Sequence, residues 1–372
     1  MNNNRTWLVT GGAGFIGVNF VKMLLAEKLG RVVVLDALTY AGNIRSLESE
    51  IESGAIEFVK GDIGDSELVS GLLSRIRPDY IVNFAAESHV DRSVDNPRPF
   101  VEANVLGTQN LLECTRQYVK NGGELRTFVQ IGTDEVYGDL EMDFAEPQFL
   151  EGAEALIGRE VRVFGSESFS ESSPLKPSSP YSASKAAADM MALAYHRTFG
   201  LPVVVTRCSN NYGPYQFPEK LIPLMINNIM EGRSLPVYGK GLNVRDWIYV
   251  DDHCSGVIAA ALKGQPGEVY NFGGYYEARN IDLVNMLINL VRDSEGVDGS
   301  ELITYVSDRP GHDRRYAMDA AKSINELGWR PTVLPADGMK KTVRWYLDNR
   351  PWVRDIVEGE YRSYYEKMYS NR

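Results

Sequence analysis

Thr133, Asp134 and Glu135 stand side by side, and Tyr181 and Lys185 follow four residues apart. Four residues is about one helical turn, so phenol and ammonium share a helix face. There the positive charge is expected to stabilise a phenolate and bring the tyrosine pKa down toward working pH. Tyr181 would then take an alcohol proton, with the Thr133 hydroxyl completing the donor and acceptor set around that alcohol. Simple alcohol oxidation needs nothing more. Asp134 and Glu135 add an acid and a base, the pair required to remove water from the oxidised product. Taken singly, a Tyr and Lys at this spacing are commonly a solvated helix face, and an acidic dipeptide is commonly an exposed turn. Their positions among the predicted elements favour chemistry.

The elements that must position these groups begin with Thr6–Thr10, a short apolar run that reads as a buried parallel strand. It feeds Gly11-Gly12-Ala13-Gly14-Phe15-Ile16-Gly17 and then an amphipathic segment to about Leu29. A strand, a glycine turn and a helix in that order form a receptor for a pyrophosphate, through backbone amides and the helix N-terminus. The next strand, Arg31–Leu35, ends at Asp36, nineteen residues beyond Gly17. That is the distance at which an acid reaches an adenosine ribose, and its charge would repel a 2′-phosphate, so NAD is expected rather than NADP. After a later strand, Ala85-Ala86-Glu87-Ser88-His89-Val90-Asp91 places small residues where backbone would approach a cofactor closely.

Alternation continues through Ile56–Val59, a helix from about Ser66, Tyr80–Phe84, a long helix near Val101 to Tyr118, Thr127–Ile131, a helix around Ser184 to Phe199, and Val203–Arg207. Such repetition predicts an α/β fold, a doubly wound parallel sheet of the Rossmann kind. Beyond Asn210 the pattern loosens into segments punctuated by Pro and Gly, read as a smaller mixed α/β substrate-binding lobe. The expected division is residues 1–210 with a return segment near 251–272 for the cofactor, and 211–250 with 273–372 for the substrate.

Composition narrows the classes. At 372 residues and 44% hydrophobic, the chain has ample material for two lobes, yet no stretch approaches the roughly 20 apolar residues of a membrane span. Its start lacks the apolar region of a signal peptide, and a cytoplasmic protein is expected. The net charge of −11 argues against a nucleic-acid surface. Cys114, Cys208 and Cys254 are odd in number and widely spaced, and the four histidines lie far apart, so neither a disulfide framework nor a metal site is expected. Arg245, Arg309 and Lys220 are the cations the second lobe could offer a diphosphate.

With these residues assembled, the chain resembles the extended short-chain dehydrogenase/reductases of the NAD-dependent epimerase/dehydratase kind, and within them the dTDP-glucose 4,6-dehydratases. The likeness runs nearly end to end. It is carried by Thr133-Asp134-Glu135-Val136-Tyr137-Gly138, Tyr181-Ser182-Ala183-Ser184-Lys185, Cys208–Tyr215, Phe217–Pro223, Arg245–His253 and Asp308–Asp313. Related epimerases usually lack the Asp-Glu pair. The resemblance implies that Thr133, Asp134, Glu135, Tyr181 and Lys185 are catalytic. It implies NAD contacts from Gly11, Gly14, Phe15, Ile16, Gly17, Asp36, Leu38, Thr39, Gly42, Asp62, Ile63, Ala85, Ala86, Ser88, Asn104, Tyr181, Lys185, Cys208 and Asn211. A nucleotide-sugar substrate would be held by Ser88, Thr133, Asn210, Glu219, Lys220, Leu221, Pro236, Tyr238, Arg245, Asn280, Arg309 and His312. Also implied is a homodimer paired through the helix carrying Lys185 and the one near Val101 to Tyr118.

Between Glu135 and Tyr181 lie 45 residues, more than the family pattern, with Pro147 to Ser168 reading as an insertion. It is expected either to form a lid or alter sugar choice, or to be a tolerated surface loop. Three alternatives remain open at this point: a 4,6-dehydratase of a UDP- or acetamido-sugar, a nucleotide-sugar epimerase or decarboxylase, and a catalytically silent NAD-sensing protein.

Overall fold

Trp7-Leu8-Val9, Val32–Leu35 and Val203–Val205 are runs of consecutive apolar residues, as strands covered on both faces require, and every one of these side chains is fully buried. The computed structural model describes residues 5–150, 157–158, 161–308 and 310–356. Its main sheet is built from β1 (Thr6–Thr10), β2 (Arg31–Asp36), β3 (Ile56–Lys60), β4 (Tyr80–Asn83), β5 (Thr127–Ile131), β6 (Val203–Cys208) and β7 (Val269–Phe272). The order across the sheet is β7-β6-β5-β4-β1-β2-β3, with every neighbouring pair parallel.

Side chains alternate across this sheet, so each strand feeds two cores. Trp7, Val9, Val32 and Val34 pack with the helices Phe15–Ala26 and Val250–Lys263 on one face. Leu8, Val33 and Leu35 pack with Ser66–Ile76, Thr108–Lys120 and Pro180–Phe199 on the other. A separate cluster gathers Tyr212, Ile222, Met225, Leu235, Trp247, Leu283, Leu287, Met339 and Tyr346. It joins the helices Leu221–Met230, Asn280–Glu295 and Pro335–Asp348 to short strands: Leu235–Tyr238 beside Ile303–Val306, and Val244–Tyr249 between Asn210–Tyr212 and Glu277–Arg279. Among the described residues no helix is long and apolar enough to cross a membrane.

Two expectations need revision. The helix near Val101 to Tyr118 opens as a π-helix over Val101–Gly107 before becoming α-helical at Thr108–Lys120. Gly107 permits the tight approach, since a Cβ there would meet the Ile63 side chain at 3.0 Å. The widened turn buries Asn104, whose side chain accepts from the Glu87 N–H at 2.8 Å and donates to the Glu87 carbonyl at 2.9 Å and the Ser184 hydroxyl at 2.8 Å. The Pro147 to Ser168 insertion forms a small antiparallel pair, Gln148–Phe149 with Arg162–Val163, and packs Ile157, Val161 and Val163 against Tyr275 and Ile324. The buried Glu277 carboxylate fastens it, accepting from the Phe164 N–H at 2.8 Å while paired with Arg315 at 2.8 Å. Residues 151–156 and 159–160 lie outside the described residues.

Candidate active site

Six strands of the main sheet end at one cleft, of about 300 Å³. Gly11 to Gly17 follow β1, Asp36 to Gly42 follow β2, Gly61 to Ile63 follow β3, Phe84 to Ser88 follow β4, Gly132 to Glu135 follow β5 and Cys208 to Asn211 end β6. Carboxyl ends of parallel strands are where such sheets bind ligands, because the crossovers leave a crevice there.

The glycine loop suits a dinucleotide. A Cβ on Gly11 would stand 2.5 Å from the Ala85 nitrogen, and one on Gly17 would stand 2.2 Å from the Gly11 carbonyl oxygen, so only glycine lets the turn close and the helix abut it. Asp36 binds this loop to its own: Oδ2 accepts from the Ala13 N–H and Oδ1 from the Leu38 N–H, both at 2.8 Å. Burial pushes its carboxyl up while those two amides oppose the rise. Each carboxylate oxygen keeps a lone pair for the ribose hydroxyls that NAD would present.

The catalytic candidates converge on the same cavity. Ser179 caps the helix Pro180–Phe199 in a reciprocal box with Ser182, Pro180 opens its first turn, and Gly200 closes it at φ 71°. That cap fixes Tyr181 in the first turn, at the cleft. Thr133 caps the following 3₁₀ turn Asp134–Val136, accepting from the Glu135 N–H at 3.4 Å, and donates its hydroxyl to Asp134 Oδ1 at 3.1 Å. Asp134 is 2% exposed, and its Oδ2 has no hydrogen-bond partner among the described residues. Burial, then the neighbouring Glu135 charge, raises its pKa well above the usual carboxylate range. The group is held as a neutral acid.

Burial, followed by the charge of Glu135, pushes the Tyr181 phenol well up, and only the Thr133 hydroxyl favours its ionised form. Lys185 shares the helix face, but its Nζ donates to the Ile131 carbonyl at 2.6 Å. Its own pKa is depressed by burial and supported by Asp189 one turn further on.

Of the expected cofactor and substrate residues, Thr39, Asp62, Ile63, Ala85, Ala86, Ser88, Asn210, Glu219 and Lys220 also line the cleft, with Cys208 and Asn211. Others lie outside its wall. Leu38 and Asn104 hold wall segments through their hydrogen bonds to Asp36 and Glu87. Leu221 begins a helix directly after Lys220, Pro236 sits in Leu235–Tyr238, and Asn280 begins another helix. The Tyr238 hydroxyl donates to Asp91 at 2.8 Å, and His312 Nδ1 is 2.5 Å from Asp308. Arg245 is buried and spends its guanidinium on the Val244 and Asp313 carbonyls, at 2.7 and 2.9 Å, while stacked 4.3 Å over the Tyr316 ring. Arg309 lies outside the described residues. Tyr40, Glu87, Gln216 and Phe217 line the cleft too and were not foreseen, since no spacing marks them.

Comparison with known proteins agrees with this geometry. Residues 7–273 match the model of the NAD dependent epimerase/dehydratase family. A dTDP-glucose 4,6-dehydratase of Xanthomonas campestris pv. campestris is 48% identical over 365 residues, covering 96% of this chain and 97% of its own. Two crystal structures of dTDP-glucose 4,6-dehydratases holding NAD superpose closely. That from Bacillus anthracis has a TM-score of 0.81 at 44% identity, covering 95% of this chain and 99% of its own. That from Streptomyces venezuelae has a TM-score of 0.82 at 46% identity, covering 94% and 99%. With its glycine loop, Tyr-Lys helix and acid pair gathered at one sheet edge, matched by the family model over residues 7–273 and 48% identical to a relative across 96% of its length, the chain belongs to the NAD dependent epimerase/dehydratase family.

Proposed function

We propose that the protein is a sugar-nucleotide 4,6-dehydratase that converts dTDP-glucose to dTDP-4-keto-6-deoxyglucose. One observation carries the reading: a buried Asp134, held neutral and with one oxygen unpartnered, shares a cavity with Glu135 and with the Tyr181 and Lys185 helix. Oxidation alone has no use for a buried proton donor.

Bound NAD would accept hydride from sugar carbon 4 and return it to carbon 6, and its positive charge would favour the Tyr181 phenolate. Tyr181, as its phenolate, takes the 4-hydroxyl proton, with Thr133 lining the same cleft. The ketone so formed acidifies the hydrogen on carbon 5; Glu135 removes it as a proton and returns a proton to carbon 5 when hydride reaches carbon 6. Asp134 gives its proton to the departing 6-hydroxyl, so water leaves without forming hydroxide in a dry site. The glycine loop and Asp36 would hold the dinucleotide, and Asn210, Glu219 and Lys220, which line the same cleft, would contact the sugar nucleotide. Incubating the protein with dTDP-glucose and, separately, UDP- and acetamido-sugar nucleotides tests this by product mass. The dTDP product is expected to be lighter by one water; retention of the 6-hydroxyl or loss of carbon dioxide would overturn the assignment.

The buried, neutral Asp134 has a cost in stability. Its folded pKa lies above the unfolded 3.8, so the native state binds more protons than the unfolded chain between those values. The contribution of Asp134 is therefore full below pH 3.8 and is lost as pH rises toward its folded pKa. Asp134→Asn removes this slope. Thermal melts from pH 5 to 8 are expected to show the variant gaining on the parent as pH rises while its kcat falls; parallel melting curves would refute the buried neutral acid.

A homodimer is part of this reading. Val101, Leu106 and Met190 are 48, 57 and 61% exposed on adjacent helices, an apolar strip that a second copy would cover. Light scattering should find a dimer in the parent and a monomer in Leu106→Glu/Met190→Glu; a monomeric parent would end the proposal. We also place the protein in the cytoplasm, where its three free, buried thiols suit a reducing compartment, a placement that cell fractionation checks.

A further inference from the structure

The cleft wall is pinned together by contacts between distant parts of the chain. Tyr40 belongs to the loop after β2 and Ser88 to the segment after β4, whereas Phe217, Glu219 and Lys220 lead into the helix Leu221–Met230. Lys220 Nζ donates to the Ser88 carbonyl at 2.9 Å, and the Tyr40 and Phe217 rings meet edge-on with centroids 5.6 Å apart. Arg92, on the short helix Val90–Asp95, binds both sides at once. Its guanidinium lies 3.8 Å over the Tyr40 ring, and its Nε and Nη2 both donate to Glu219 Oε2, at 3.2 and 3.1 Å. The Glu219 side chain is only 3% exposed, and His89 stands 3.9 Å from its other oxygen.

A buried carboxylate has to be paired, and Arg suits this site better than Lys because a planar guanidinium offers its edge to the carboxylate while its face stacks on a ring. Tyr40 is continuous with Asp36, Thr39 and Gly42, which form the cleft wall after β2. Displacing that wall requires breaking the stack, and the ion pair holds the stack in place.

We propose that Arg92 is a positioning residue that clamps the Tyr40 loop to Glu219 and so retains the dinucleotide in the cleft between turnovers. The idea rests on a reaction in which hydride leaves and returns within one substrate visit, so that the cofactor is regenerated in place and gains nothing by exchanging. Arg92 touches neither reacting atom; its effect passes through Tyr40 and Glu219.

The test uses holoenzyme loaded with radiolabelled NAD and chased with unlabelled NAD, without sugar. Arg92→Met is expected to release label roughly tenfold faster, and Arg92→Lys, which keeps charge but loses the fork and the stack, is expected to be fast as well. Arg92→Met takes the hydrogen-bonded guanidinium from the buried Glu219, so the double variant Arg92→Met/Glu219→Gln removes both charges and guards against misfolding. Tyr40→Leu keeps both Arg92 and Glu219 while removing the ring stacked on the guanidinium. A merely structural role would lower the melting temperature without changing the exchange rate. Release within twofold of the parent in the folded double variant and in Tyr40→Leu would overturn the clamp. Because exchange is read without sugar, that result is independent of whether the product assay succeeds.

Discussion

Tyr181→Phe is expected to lower kcat on dTDP-glucose by roughly three orders of magnitude, while the purified variant still carries NAD. The phenol is 8% exposed and packs edge-on against Phe100, with centroids 6.2 Å apart, so a phenylalanine keeps the packing and removes only the oxygen. Thr133 is already committed to Asp134, and Lys185 Nζ to the Ile131 carbonyl. Without a proton acceptor the 4-hydroxyl keeps its proton, and oxidation, elimination and reduction all stop at the first step. Turnover and the cofactor content of the denatured variant are the two measurements. A loss under tenfold would show that another group takes the proton.

Glu135→Gln separates the steps instead of stopping them all. The amide preserves the size of the side chain but cannot accept the carbon 5 hydrogen as a proton. Slow oxidation at carbon 4 is expected to persist, overall turnover to fall by roughly two to four orders of magnitude, and reduced cofactor to accumulate on the enzyme. In deuterium oxide the parent should place solvent deuterium at carbon 5, and the variant should not. Undiminished exchange in the variant would remove Glu135 from its role. Its charge also presses on its neighbours, being the second cause, after burial, of the raised pKa of both Asp134 and Tyr181. Neutralising it should ease both groups back toward their ordinary values, and this distinguishes it from a side chain that is merely nearby.

The parts of this protein legible in the chain are those whose signals are local. Consecutive apolar runs mark strands buried on both faces, and Thr6–Thr10 and Val203–Arg207 are such runs, seen in the structure as Thr6–Thr10 and Val203–Cys208. The glycine loop is legible because the backbone turns so tightly that a Cβ on Gly17 would stand 2.2 Å from a carbonyl oxygen, which excludes any side chain. Spacing alone places Tyr181 and Lys185 on one face. The insertion from Pro147 to Ser168 was visible as extra length, but nothing in its composition says that Glu277 and Arg315, over a hundred residues away, fasten it to the Tyr275 side of the molecule. None of its described residues lines the cleft.

Residue types and periodicity by themselves determined the parallel sheet, the phosphate loop and which side chains could carry protons, because each follows from the period of a helix or strand and from steric limits within a few neighbours. Tertiary structure alone decided their protonation and their partners. Burial pushes the pKa of both the Tyr181 phenol and the Asp134 carboxyl up, and Arg92 meets Tyr40 and Glu219 from segments some 50 and 127 residues away. Desolvation depends on everything packed around a group, and no spacing along the chain records what that is.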